Sequence, residues 1–538
     1  MSVSNTSYGV EALENVQVDA SNNTAIGAWA SLNTSTGIHN TSLGSNALLK
    51  NVGGNYNVAL GTAALCFNVS GSKNIAVGTN ALEYNTADGN VAVGVQALFT
   101  NTTGINNVAV GTSALLANTQ GGSNTAVGYQ ALNDNTTGLY NVAVGSGALS
   151  NNVDASGNVA IGYQALFANT SGIGNVAVGY NAAKSDINSS QITAVGYEAL
   201  LINSGDNNTA IGFGVLSGNT TGMQNTGVGS EVLNDNTIGN RNVGMGQNAL
   251  SQNTTGSDNV AVGSGALSGN EVASGNTAVG GGALAGNVSG NYNTCVGYKT
   301  LDNLNAQANG GEYNIAVGYK AGFQQVFGLM NGSNNIIVGC QLESNVAGMA
   351  LTTGSQNVLI GNYVGTALTT GSQNVLIGNY VGTALTTGFS NIVIGNNAQP
   401  SSATVSNEIV LGTSAETLKI QGGLNYSGRP TITASSVTLP NQGGGYTTLA
   451  QFYLINDTSG AITISLPDPT GSVLNGCVVQ FRRTVSNASP ITFDVTGGPS
   501  IIAKYDTVSY TSSITMAVGQ FSTTFIAGAN HWFQMQTM

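Results

Sequence analysis

Short apolar runs recur along the chain, each opened by Asn and closed by Gly. Asn107-Val108-Ala109-Val110-Gly111 is one of them, and Asn124 to Gly128 and Asn141 to Gly145 repeat it. Val, Ile and Thr suit a pleated backbone, so every run predicts a short β-strand. Aligned on the closing glycine, the run returns at Gly27, Gly44 and Gly61 and continues through Gly395 to Gly412. The step is 17 residues, with two steps of 16 and longer steps of 21, 21 and 22 between Gly297 and Gly361. After the glycine the consensus reads two variable residues, Ala-Leu, two variable residues, then Asn-Thr-x-Gly. That last tetrad carries turn chemistry. Seventeen residues suffice for two short strands and two turns, which is one coil of a parallel β-roll or β-solenoid. Coils stacked at about 4.8 Å predict a shaft of roughly 105 Å.

Face by face, the run also bears on assembly. Val108 and Val110 lie on one side of the strand and Ala109 on the other. Both sides are apolar, the pattern of a strand covered on both faces. The expectation is that Val and Ile rows fill each coil's own core, while the Ala row packs against neighbouring chains. A homo-oligomer follows, most simply a homotrimer; a monomeric solenoid would leave a long apolar stripe in water. The Asn four positions before the glycine is present in all but two units, where Ile192 and Glu408 stand instead. A stacked Asn row can pass hydrogen bonds from coil to coil, or each Asn can cap its own turn.

The Asn-Val-Ala-Val-Gly run followed by Ala-Leu resembles the head repeats of trimeric autotransporter adhesins of the YadA type. The longer form Asn124 to Leu132, Asn-Thr-Ala-Val-Gly-Tyr-Gln-Ala-Leu, is more similar still to arrays in fibre proteins of phages and large DNA viruses. The resemblance covers roughly three quarters of the chain as a repeat architecture. It implies left-handed parallel β-rolls, a trimer and a place in a virion fibre. The autotransporter version would also need a signal peptide, a heptad stalk and a membrane anchor, none of which the sequence offers, so a virion fibre is the expected form.

Composition narrows the function further. The chain has 538 residues, of which 6% are charged and 76 are Gly, with a net charge of −12. So thin and negative a field disfavours nucleic acid, which calls for clustered Lys and Arg. No run approaches the ~20 apolar residues of a membrane-spanning helix, and Met1 to Val10 lacks the pattern of a secretory signal. Cys66, Cys295, Cys340 and Cys477 are far apart. They read as buried small hydrophobes in a protein assembled in a reducing cytoplasm; the resemblance implies that it then acts at a virion surface or outside a cell.

The periodicity divides the chain. Residues 1–22 form an N-terminal cap that would attach to a virion component, and residues 23–412 form the shaft, with longer coils at 298–361. The inserts there carry Phe323, Phe327 and Met330 and read as expanded loops. Residues 413–424 are a crossover. Residues 425–538 are richer in aromatic residues, with longer and individually distinct β runs, and predict an antiparallel β-sandwich; the resemblance to viral fibres implies that it serves as a knob or trimerisation cap. Tyr453, Tyr505, Tyr510 and Trp532 are candidate contacts to a host-surface glycan or protein, with Phe481 beside them in the same module. His39 and His531 are too few for a His-rich metal site or a nucleophile relay. Asp457, Asp468, Asp494 and Asp506 fix no carboxylate spacing for glycan hydrolysis. The expectation is therefore a structural fibre protein without enzyme activity, metal or cofactor. A coat or filament protein without receptor is the alternative, and a polysaccharide depolymerase the second. Ice binding by Thr rows is disfavoured, because Thr alternates irregularly with Val and Ile. Sequons such as Asn101-Thr102-Thr103 and Asn135-Thr136-Thr137 follow from the turn consensus and carry no evidence of glycosylation.

Overall fold

The computed structural model describes residues 4–302 (residue 18 excepted), 311–322, 331–339 and 351–413, and between 431 and 537 the backbone of short strands. The chain divides into two compact units, residues 1–373 and 374–538. Among the described residues every regular element is a β-strand.

In the first unit each coil contributes one three-residue strand, paired in parallel with the strand of the next coil. Val108–Val110 pairs with Thr125–Val127 in strict register: Val108 opposite Thr125, Ala109 opposite Ala126, Val110 opposite Val127. This is the parallel β-solenoid that the 17-residue period predicts. The longer steps return to the same register, with Thr294 opposite Ile315, Ile315 opposite Ile336 and Ile336 opposite Val358. The added residues are therefore absorbed outside the ladder. Phe323, Phe327 and Met330 lie outside the described residues. At the other end the array begins one coil earlier than its period suggests. Thr6–Tyr8 pairs with Thr24–Ile26, so most of the expected cap at 1–22 is itself a coil, hidden by an 18-residue step from Gly9 to Gly27. In the second unit Val375–Ile377, Ile392–Ile394 and Ile409–Leu411 repeat the same parallel pairing.

The expectation of two strands per coil is not met. The Ala-Leu segment is a chain of turns, with Ala114 N–H donating to the Gly111 carbonyl at 3.3 Å and Asn118 N–H to that of Leu115 at 3.2 Å. Ser113 and Leu115 take left-handed backbone angles, φ 57° and 52°, as their counterparts do coil after coil. Each such residue costs roughly 1–2 kcal/mol. The cost is offset because the same backbone still bonds upward, Leu115 N–H to the Ala131 carbonyl at 3.0 Å. The closing glycine is required on two counts. Gly111 has φ 138°, and a Cβ there would stand 2.4 Å from the Gly128 carbonyl oxygen of the next coil.

The two strand faces are reversed from expectation. Ala109 is fully buried within its own coil, whereas Val108 is half-buried and Val110 is 36% exposed. The interior is formed by Ala109, Ala114 and Leu115 and their equivalents. Space decides this. A 17-residue coil leaves a gap that a methyl from the strand and one Leu from the turns can fill, and a branched Val on that side would overpack it. The array shows the constraint wherever it varies. Val215 replaces the usual Ala after the turn, and the strand of the next coil then carries Gly227, where a Cβ would meet Val215 Cγ1 at 2.5 Å. Val232 and Gly244 repeat the exchange at the same 2.5 Å. In the second unit the Leu moves to the strand as Leu376, and the turn position becomes Gly382, whose Cβ would lie 2.9 Å from Leu376 Cδ1.

In the C-terminal segment Ala450–Leu454, Ile462–Leu466, Val478–Arg483, Ile491–Val495, Ser513–Met516, Ser522–Ala527 and Trp532–Thr537 are strands. Their pairing is mixed, which corrects the expectation of an antiparallel arrangement. Ala450–Leu454 runs parallel to Val478–Arg483, and Ile462–Leu466 parallel to Ile491–Val495. Antiparallel pairing enters with Ser513–Met516, Ser522–Ala527 and Trp532–Thr537.

Candidate interaction surface

Two buried columns of asparagine hold the coils, and they set which side chains remain for the outside. In the first, Asn107 Oδ1 accepts the backbone N–H of Asn124 at 2.9 Å, and Asn124 Oδ1 accepts that of Asn141 at 2.9 Å. The amide nitrogen of Asn107 reaches across its own coil to the Gly121 carbonyl at 2.8 Å. Of the two readings of this residue the coil-to-coil link holds, through its oxygen; its nitrogen closes the coil on a carbonyl 14 residues on and does not cap a local turn. The backbone around Ile192 and Glu408 still donates to the preceding Asn, at 3.1 and 2.9 Å.

The second column is the Asn of Asn-Thr-x-Gly, which reads in sequence only as a turn residue. Asn118 Nδ2 donates to Asn101 Oδ1 at 2.7 Å, and Asn135 Nδ2 to Asn118 Oδ1 at 2.8 Å. Each nitrogen also bonds the carbonyl three residues on, as Asn118 does to Gly121 at 2.9 Å. This is an amide ladder through the core, a geometry in which each bond polarises the next. Asn101 and Asn135, the sequon residues, are fully buried in it. Toward the end of the array Leu351, Leu368 and Leu385 take the same place and are also fully buried.

With both columns inside, the outer face of the strands is apolar. Val93, Val110, Ile161, Ile211, Met245 and Val279 are all exposed and fall in one row, with Val108, Thr125 and Val142 beside it. Next to that row stands a column of rings one position after the glycine. Tyr163, Tyr180, Tyr197 and Phe213 stack at 5.2, 5.2 and 5.5 Å between successive centroids, with planes within 17° of parallel. Five positions before the glycine a second site stacks rings as well, His39 on Tyr56 at 5.0 Å and Tyr292 on Tyr313 at 5.1 Å. His39 is exposed, as its variable position suggests. The sequence holds the signal for these columns: aromatics at one repeat position in consecutive coils.

No family model matches the chain, and no curated protein is detectably similar to it in sequence.

The remaining predicted residues divide by position. Gly111, Gly128 and Gly145 stack as the backbone column that needs glycine. Tyr505 lies outside the described residues, and Tyr453, Phe481, Tyr510 and Trp532 lie in strands whose side chains are outside them. His531, Asp457, Asp468 and Asp506 are likewise outside. Cys66 and Cys295 are buried, as expected of small hydrophobes, and Cys340 and Cys477 lie outside the described residues. Burial pushes the Cys66 thiol up to about 11, with Glu83 adding to the effect, and raises Cys295 further. Among the described residues no three of His, Cys, Asp and Glu come together as a metal cluster, and no helix is long and apolar enough to cross a membrane.

Proposed function

We propose that this chain is a structural fibre subunit without catalytic activity, and that its shaft assembles as a homotrimer along the exposed Val, Ile and Met row. The observation that supports this reading is that row itself. It is apolar in coil after coil, at a register the parallel ladder holds fixed. A stripe of that length is normally covered. A second copy of the chain carries the same stripe at the same spacing, so self-association matches it along its length. Three as the number of copies, and a virion as the assembly, rest on the resemblance to trimeric adhesin heads and viral fibre repeats. In this reading the C-terminal strands form the knob that contacts a host-surface glycan or protein, and the N-terminal coil meets another virion component. A stiff shaft would present three weak contacts at once and gain avidity.

Sedimentation of the full chain tests the assembly. A particle of three chains is the expected result, and a monomer at micromolar concentration would remove the shaft contact. Binding of the full chain to a glycan array or host cells tests attachment, and absence of specific binding would leave a coat or filament protein.

A further inference from the structure

Between Asn51 and Asn287 the amide ladder has one rung that is not an amide. Asn68, Asn85, Asn101, Asn118, Asn135, Asn152 and Asn169 each donate from Nδ2 to the Oδ1 of the coil before. Beyond the break Asn219, Asn236 and Asn253 do the same. Between Asn169 and Asn203 the position is Asp186, fully buried like its neighbours. A carboxylate has no hydrogen to donate. Accordingly Asn169 Oδ1, which in the other coils accepts from the next rung, is buried without a hydrogen-bond partner. Such an orphaned acceptor costs roughly 1–3 kcal/mol, and a negative charge stacked against it would cost more.

We infer that Asp186 is a proton-binding site, held as the neutral acid so that its O–H donates to Asn169 Oδ1 and completes the ladder. The geometry selects the oxygen. Asp186 Oδ2 accepts the amide of Asn203 at 2.9 Å, which is the role of the Asn oxygen in other rungs. Oδ1 is the oxygen left for the preceding coil, and it also accepts the Ser189 N–H at 2.9 Å. The proton belongs on Oδ1. No cation competes for the role. The charged side chains of this coil and the two that sandwich it are half-buried Lys184 and Glu198 and exposed Asp206, and none acts on Asp186. Burial raises its proton affinity above that of an ordinary Asp, against the hydrogen bonds from Asn203, Ser189 and Asn188.

The sign of the pH effect follows. Below about pH 4 the side chain is protonated in both folded and unfolded chains and contributes no pH dependence. As pH rises further the unfolded chain ionises while the folded one keeps its proton, so stability falls until the raised folded value is passed. Asp186→Asn replaces the O–H by an amide N–H and removes the dependence. Relative to that variant, the unfolding constant of the native chain should rise about tenfold per pH unit across this window. Infrared spectra of the full-length protein provide the direct reading. A protonated-carboxyl stretch should persist at pH 7 in the native chain and be missing from D186N. The absence of that band at pH 7, parallel stability–pH profiles for the two proteins, or a D186N chain that fails to fold would each overturn the assignment.

Discussion

Asn118 shows what one residue does in a core this thin. Its oxygen accepts from Asn135 and its nitrogen donates to Asn101 and to the Gly121 carbonyl. Replacing it by Leu leaves Asn101 Oδ1 without its donor and removes an acceptor from Asn135, at roughly 1–3 kcal/mol for each group left unpaired. Asn118→Leu should therefore lower the denaturation midpoint, although Leu368 and Leu385 fill the same place in later coils. The difference is neighbourhood. A ladder tolerates an amide among amides or a Leu among Leu, and an unchanged midpoint for N118L would show the ladder to be ornamental. The sequence displayed both Asn columns as periodicity, yet only one invited a ladder. The other sat in turn chemistry, which explains an Asn without asking where its side chain points.

At the scale of the element, strand and turns share one fixed interior volume. Ala109 opposite Ala114 and Leu115 is the common solution, and Val215 with Gly227 is another. A methyl added at Gly227 would meet Val215 Cγ1 at 2.5 Å, so Gly227→Ala should destabilise the chain. Combined with Val215→Ala the same substitution should be tolerated, because the pair then matches the common coil. A double-mutant cycle should read a coupling of about 0.5–3 kcal/mol, and additive effects would mean that the two positions do not share a space. The strand, its length and its register were legible from the Asn-to-Gly runs. The assignment of faces was not, because Val and Ala are both apolar and period two cannot say which side is inside. Volume decides it, and exchanges such as Val215–Gly227, Val232–Gly244 and Leu376–Gly382 were its record in the sequence. The missing second strand has a similar cause: Ala-Leu is compatible with a strand, and nothing in residue type announces left-handed angles at Leu115.

For the molecule as a whole, the reversal of faces relocates the proposed assembly contact without removing the reason for it. The row that water would touch is Val110, Ile161 and Ile211, not Ala109. The two placements separate experimentally. Charged residues on the outer row, in the combined variant Val110→Asp, Ile161→Asp and Ile211→Asp, leave every interior contact and both Asn columns in place. The coil should still form, with an unchanged β signal in circular dichroism, while three copies brought together along that row would bury unpaired carboxylates at several kcal/mol each. Dissociation to folded monomers in sedimentation is the expected outcome. Ala109→Asp, by contrast, puts a charge into a space sized for a methyl and should cost the fold itself. A triple variant that remains assembled would mean that the Val and Ile row is not where the chains meet. The exposed ring column at Tyr163, Tyr180, Tyr197 and Phe213 would then be the next contact to test, since it flanks the same strands and runs in the same direction.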